Sequence, residues 1–157
     1  MRRKDRAVTE LGEITDILNI CKTACVAMVD DGTPYVVPLS YGYEFEGDKL
    51  VLYFHCAKEG RKLDIIKQNN AVCFTIFNEG EPLFAETPCN SGYYYSSVIG
   101  DGIAVILEDS AEKKRALSIM FEHQTKRAVT FTDEQAASVC VFKIVSENYT
   151  GKRKARP

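Results

Sequence analysis

The sequence predicts a mainly β protein of the α+β class, an antiparallel β-barrel of six strands with about three peripheral helices. Three observations lead to this fold. Long segments alternate large residues with small or polar ones, or form short apolar runs, and both patterns are typical of strands. Most connections between these segments are short or turn-like, which favours antiparallel neighbours. The 157 residues, 45% hydrophobic and 27% charged, are enough for one domain with a substantial core.

The first half of the chain begins with a helix predicted over residues 9–21, where apolar residues recur at steps of three and four. The apolar run 23–29 predicts a buried strand, and Asp31-Gly32 marks a hairpin turn after it. The clearest segment follows. From Tyr35 to Phe45 every odd position is large and most even positions are small or polar, a period of two that only a strand satisfies.

The remaining strands are predicted at 50–55, 71–77, 93–107 and 138–145. Glycines at 100 and 102 are expected to bend the long strand. Helices are predicted at about 59–68 and 109–122, the second opened by a capping-box pattern. The segment 78–92 is predicted to be a long loop, and loops of that length often carry function.

Composition and charge exclude several classes of protein. The net charge of −2 argues against a polyanion-binding protein, although basic residues cluster at 1–6 and 152–156. These clusters are either solvated tails or a nucleic-acid contact, and no nucleic-acid-binding motif supports the second. Several of the six cysteines lie in apolar strand patterns, which predicts reduced thiols in a cytoplasmic protein, and the lack of a CxxC pair predicts no metal site. Without a signal peptide or a long apolar stretch, the chain is expected to be cytoplasmic, with no membrane partner.

A candidate anion-binding corner lies at residues 55–62, where a predicted strand is followed directly by a predicted helix. Such a turn presents free N–H groups at the positive end of the helix dipole, and Gly60 lets the backbone approach a ligand. Lys58, Arg61 and Lys62 place three cations there, which is unfavourable at a helix N-terminus unless an anion is bound. The alternative is an exposed, basic first turn of a surface helix.

Both histidines have a structural and a functional interpretation. His55 lies at the strand end beside the basic turn and is either a functional imidazole or a hydrogen-bonded structural one. His123 ends the third helix, where a cap that serves the helix dipole explains it. The tyrosine- and serine-rich segment 93–97 lines either a pocket or interface, or an exposed edge strand.

The even face of the 35–45 strand is a further candidate. Pro38, Ser40 and Gly42 are small enough to leave room for a flat ligand, and Tyr41 would stack on it if it turns at the edge. The alternative is a solvent-facing strand surface.

Three segments together resemble the pyridoxamine-5′-phosphate-oxidase-like FMN-binding split-barrel family, and within it the 5-nitroimidazole resistance branch. They are YVVPLSY at 35–41, LYFHCAKEGRK at 52–62, and YSSVI at 95–99, which runs on to Gly102 and the following helix with Glu112-Lys113 and Ala116-Leu117. The resemblance extends from the first helix to about Tyr149. The chain lacks the basic C-terminal substrate motif of true pyridoxamine-phosphate oxidases, so oxidation of that vitamin is not expected.

The resemblance implies a split barrel that forms a homodimer, with two FMN molecules at the interface and FAD or a deazaflavin as other possible flavins. The histidine at this motif position has been linked to the reactive centre of the resistance branch, so His55 is the candidate catalytic residue. The implied cofactor-binding residues are Val37, Pro38, Leu39, Ser40, Tyr41, His55, Cys56, Ala57, Lys58, Gly60, Lys62, Ser96, Ser97 and Val98.

The function implied is that of a flavin-dependent oxidoreductase, similar to nitroimidazole reductases, with a small-molecule electron donor and acceptor. One alternative is a non-catalytic flavin- or haem-binding module on the same scaffold, and another is a barrel that binds nucleic acid through its basic ends. The chain is expected to be a single domain over 1–157, with its core at about 9–149.

Overall fold

The computed structural model describes residues 3–155, which form one antiparallel sheet of eight strands with four helices. The strands are β1 (Ala7–Val8), β2 (Thr23–Asp30), β3 (Thr33–Ser40), β4 (Gly42–Glu46), β5 (Lys49–Cys56), β6 (Ala71–Leu83), β7 (Gly92–Ile106) and β8 (Cys140–Lys154). The helices are α1 (Leu11–Ile20), α2 (Arg61–Gln68), α3 (Ser110–Thr125) and α4 (Asp133–Ala137), and short 3₁₀ turns occupy Lys4–Arg6 and Pro88–Asn90. No helix within this range has an apolar stretch long enough to cross a lipid bilayer.

The order of the strands makes the sheet a split barrel. It runs β3-β2-β6-β7-β8-β5-β4, with β1 paired to the end of β8. β3 and β4 stand at opposite ends of this order although only Tyr41 separates them in the chain. The sheet therefore curls until its ends meet, and β3 comes close to β5 without pairing to it. The expected split β-barrel is confirmed, with an open seam between β3 and β5.

The strand count is eight instead of six, for identifiable reasons. The segment 35–45, predicted as one strand, breaks at Tyr41 because that side chain turns into the core. β6 continues to Leu83 and β8 to Lys154, so part of the predicted loop and part of the second basic segment are strand. The extension of β6 pairs with β7, and the extension of β8 pairs with β7 and β1. This pairing stabilises both extensions, and a local sequence pattern does not reveal it. The five-residue helix α4 is too short to leave a periodic signal.

Two apolar clusters lie on the two faces of β5. Leu50, Leu52 and Phe54 point into the barrel, where the Phe54 ring stacks on Phe142 with centroids 5.0 Å apart. Val51 and Tyr53 point the other way and pack under α3 and α4. β5 is thus buried on both sides until it emerges at its C-terminal end, next to the predicted corner.

Candidate functional site

The predicted anion-binding corner is formed where β5 gives way to α2. Gly60 is the N-cap of α2, with φ 140° and ψ 158°, a conformation that favours glycine, and a Cβ there would meet no atom within 4 Å. Its carbonyl accepts hydrogen bonds from the amides of Leu63 and Asp64, at 2.9 and 3.3 Å. No side chain caps this helix end, so the amides of Arg61 and Lys62 remain available to an anion.

The three cations of the corner do not act together. Arg61 donates from Nε to Asp30 Oδ2 at 2.8 Å, and its guanidinium lies 4.5 Å from the centre of the Tyr35 ring. These two contacts of Arg61 hold the start of α2 against the end of β2 and the start of β3. Lys58 and Lys62 have no ion pair with any residue in the range 3–155. Two lysines therefore stay without a counterion at this helix start.

Lys58 and Lys62 also differ in their surroundings. Lys58 lines a cavity of about 300 Å³ together with Lys67 and Lys113. Lys62 is half-buried and close enough to Cys56 to lower the pKa of its thiol, although burial raises that pKa more strongly. Lys62 is therefore the cation positioned most directly at the corner.

His55 lies at the open seam of the barrel. Its side chain is exposed at the end of β5, on the same face as Tyr53 and just beyond the cover of the helices. The last β4–β5 pair joins Gly42 to Tyr53. Ser40 lies two residues before Gly42 and His55 two residues after Tyr53, so these two residues stand on opposite sides of the seam. The seam thus brings the imidazole to the end of the exposed face of β3.

β3 shows the predicted alternation. Pro38 and Ser40 are exposed on the outer face, whereas Val37 and Leu39 are half-buried against the barrel core. Val37 and Leu39 therefore offer only backbone groups to a ligand on the outer face. The expectation that Tyr41 stacks on a ligand is wrong: its side chain is fully buried, and its hydroxyl donates to the Leu18 carbonyl at 2.8 Å.

The β7 residues of the predicted site lie apart from this group. Ser96 and Val98 are buried and face the barrel interior, and Ser97 is half-buried on the outer face. Ser97 pairs with Phe77 on β6, whereas Ser40 pairs with Thr23 on β2. The separation is three strand intervals, about 14 Å at the usual spacing. One chain alone does not bring its β3 and β7 residues into a single pocket.

The two basic segments come together beside β7. β1 pairs with β8 so that Ala7 lies opposite Lys152, and Arg6 Nη1 donates to the Tyr95 hydroxyl at 3.3 Å. Lys152 Nζ lies 5.4 Å from the centre of the Tyr95 ring. Residues 1, 2, 156 and 157 of these segments lie outside the described range. The described parts pack against the sheet instead of extending from it as tails.

Sequence reasoning did not identify the outer face of the sheet as a feature. Six of its large apolar side chains are between 40% and 60% exposed: Val29, Val36, Phe77, Ile99, Ile103 and Val105. In the sequence these residues alternate in the same way as residues that face the core. The alternation therefore does not reveal that the outer face of the sheet is apolar as well as the inner face. An exposed apolar surface of this kind is typical of an interface.

These features define a class of protein: a split β-barrel with a basic helix start at the end of β5 and an apolar outer face. A sequence profile of the pyridoxamine 5′-phosphate oxidase family matches residues 10–153, and the chain belongs to that family. No curated protein matches the chain.

Solved structures show the same fold. A proposed 5-nitroimidazole antibiotic resistance protein from Bacteroides thetaiotaomicron is 30% identical, with a TM-score of 0.80 over 94% of this chain and 86% of that one. An FAD- and heme-binding protein from Mycobacterium smegmatis is 19% identical, with a TM-score of 0.80 over 96% of this chain and 74% of that one. A flavocytochrome from Azotobacter vinelandii is 20% identical, with a TM-score of 0.80 over 100% of this chain and 73% of that one.

Proposed function

We propose that this protein binds FMN and acts as a flavin-dependent oxidoreductase. The observation that carries the proposal is the corner itself: uncapped amides at Arg61 and Lys62, with the half-buried Lys62 side chain lacking an ion pair within residues 3–155. A phosphate group supplies the missing negative charge. The named ligands of the two more distant relatives, FAD and heme in one and a flavocytochrome in the other, agree with a redox cofactor on this fold.

The surface beside the corner suits the rest of a flavin. The outer side of Pro38 and Ser40 is small and exposed, so a flat ring can lie against the β3 backbone. Bound flavin would supply the redox chemistry, and the protein would hold and orient it. Lys62 and the α2 amides would bind the phosphate, while the exposed His55 imidazole at the seam is placed to give or take a proton.

A second copy of the chain completes this site in our proposal. Ser97 lies about three strand intervals from Ser40 within one chain, so the two residues would enclose the same part of a ligand if they come from different chains. The apolar outer face, with Ile99 at 49% exposure, provides the surface for such contact. The proposed assembly is a homodimer with a flavin site at each end of a shared interface.

The substrate class follows from the 30% identical relative, whose description concerns 5-nitroimidazole resistance. A reduced nicotinamide would supply two electrons as hydride. A nitro group that takes up two electrons and two protons releases water and becomes a nitroso group. No nicotinamide-binding fingerprint of the GxGxxG type occurs in the sequence, so the donor would bind transiently over the flavin.

The phosphate corner is tested by comparing FMN with riboflavin, which lacks the phosphate. Fluorescence titration should show that the wild-type protein binds FMN at least about tenfold more tightly than riboflavin. Lys62→Gln should weaken FMN binding by about tenfold to a hundredfold and leave riboflavin binding unchanged. Lys49→Gln, at the opposite end of β5 from the corner and paired with Glu147, is the matched control and should bind both as wild type does. Equal wild-type affinity for the two ligands would overturn the corner as a phosphate site.

Catalysis is tested separately from binding. A reduced nicotinamide should bleach the visible absorbance of the bound flavin, and a 5-nitroimidazole should restore that absorbance. His55→Gln, compared with wild type when both proteins are saturated with FMN, should slow one of these two steps. Tight FMN binding with no bleaching would instead support the non-catalytic flavin module, and a haem spectrum in the purified protein would support the haem-binding alternative.

A further inference from the structure

Two cysteines face each other at the end of the β5–β8 ladder. Cys56 and Cys140 are the last registered pair of these antiparallel strands. Directly opposed residues in such a ladder have Cα atoms about 4.5–5.5 Å apart, within the range of about 4.4–6.8 Å that a disulfide requires. Burial raises the pKa of the Cys56 thiol most strongly, and the nearby Cys140 thiol also contributes to raising it. The backbone thus already holds them at a separation that a covalent bond can span.

The other four cysteines have no such partner within residues 3–155. Cys25 lies opposite Pro38 and Thr75, and Cys73 lies opposite Ala27 and Asp101. Cys21 and Cys89 lie outside the strands. All six thiols are free.

The pair is accessible to small reagents. Cys56 and Cys140 are both half-buried, and Cys140 lines the 300 Å³ cavity that also contains Lys58. Cys56 directly precedes the segment 57–62 that forms the anion corner. A bond at this place would fasten the end of β5 to the start of β8 where β5 leaves the protection of the helices.

We propose that Cys56 and Cys140 form a reversible intrachain disulfide, with hydrogen peroxide as the oxidant. The thiolate of one cysteine attacks the peroxide, its O–O bond breaks, and a sulfenic acid and water form. The second thiol then attacks the sulfenic sulfur, so that the S–S bond forms and a second water leaves. The two thiols lose two electrons and two protons, and both peroxide oxygens are reduced to water. A dithiol reverses the reaction by exchange.

The disulfide should raise the thermal stability of the protein measurably. It would close the long loop from residue 56 to residue 140, and loop closure mainly restricts the unfolded chain. For a domain of this size the expected rise in Tm is about 5–15 °C.

The test uses the full-length protein without added flavin, so its outcome does not depend on the proposed function. The protein is treated with one equivalent of hydrogen peroxide, free thiols are alkylated, and the unreduced digest is analysed by mass spectrometry. We expect one cross-linked product that joins the Cys56 and Cys140 peptides, a higher Tm, and loss of both after dithiothreitol.

Matched variants make the assignment specific. Cys73→Ser combined with Cys89→Ser removes the two exposed thiols and should leave the cross-link and the Tm shift intact. Cys140→Ser should abolish both, and if it fails to fold, the wild-type digest still decides. Complete alkylation of Cys56 and Cys140 after peroxide, or their conversion to sulfinic acids without a cross-link, would overturn the proposal.

Discussion

His123 shows how surroundings, more than residue type, determine what a side chain does. Its place at the end of α3 suggested a charged cap, but the ring is 7% exposed and lies 4.8 Å from the Tyr41 ring and 5.4 Å from the Tyr43 ring. Nε2 is 3.0 Å from the Cys21 carbonyl oxygen. Burial, reinforced by Lys22, lowers the pKa of His123 to about 4. The residue is neutral at pH 7 and serves the core, so the cap interpretation is wrong.

This buried imidazole makes folding stability depend on pH. The pKa of His123 is about 4 in the folded state and 6.5 in its ordinary state, so the unfolded chain binds the proton more readily. Its contribution is present above pH 6.5 and is lost as the pH falls towards 4, by about 2 kcal/mol between pH 7 and pH 5. Urea unfolding at both pH values measures this loss. The His123→Gln variant, which keeps a donor for the Cys21 carbonyl, should lose less of its free energy of unfolding between pH 7 and pH 5 than wild type does. Equal losses in the two proteins would contradict the prediction.

At the scale of elements, the packing of α3 on the sheet fixes the position of β4 and β5. The Asp109 side chain accepts from the Glu112 amide at 2.9 Å, which confirms the predicted N-terminal cap. Further along α3, Arg115 donates to Glu44 on β4, which also accepts from the Tyr53 hydroxyl on β5. The helix therefore holds β4 against β5, the strand that borders the seam.

Gly42 is the point where β4 and α3 come closest. A Cβ added there would lie 2.5 Å from the Met120 Cα, and backbone atoms cannot move aside as a flexible side chain can. We expect Gly42→Ala to lower the free energy of unfolding by about 2–4 kcal/mol.

Gly12→Ala is the control, because Gly12 lies in α1 with no atom within 4 Å of an added Cβ. That substitution should raise the free energy of unfolding by about 0.5–1 kcal/mol. Denaturant unfolding of both variants measures the contrast, and similar effects would show that the approach of α3 to β4 is not tight.

At the scale of the whole molecule, the sheet uses both of its faces. The inner face builds the barrel core, and the outer face exposes apolar side chains such as Phe77 and Ile99. Exposed apolar side chains do not stabilise a monomer. We therefore propose a homodimer in which the second copy covers the outer face of the sheet.

A charge placed in that face should separate the two copies. Ile99→Glu would bury an unpaired carboxylate in the proposed interface, so we expect the dimer to weaken by at least about a hundredfold. Sedimentation velocity should show a dimer for wild type and a monomer for the variant, with weaker FMN binding if the site spans both chains.

Ile20→Glu is the matched control, since Ile20 is 58% exposed on α1 and away from the outer face. It should remain dimeric. A wild-type protein that sediments as a monomer with FMN bound would rule out the proposed assembly, and a dimeric Ile99→Glu would place the interface elsewhere.

Features that depend on neighbouring residues could be predicted from the amino-acid sequence. The alternation along 35–45, the Asp109 cap and the basic turn from β5 into α2 are all local, because backbone periodicity and helix-end chemistry act over a few residues. From these the barrel could be predicted and is confirmed, whereas anion binding at the corner stays a prediction.

Features that depend on distant segments became evident in the folded chain. The break at Tyr41 arises because that ring packs beneath α1, and the pairing of Arg61 with Asp30 joins residues far apart in the chain. The spacing between Ser40 and Ser97 depends on strand order, and the neutrality of His123 depends on burial. Each results from long-range pairing and desolvation, which no local pattern of residue types encodes.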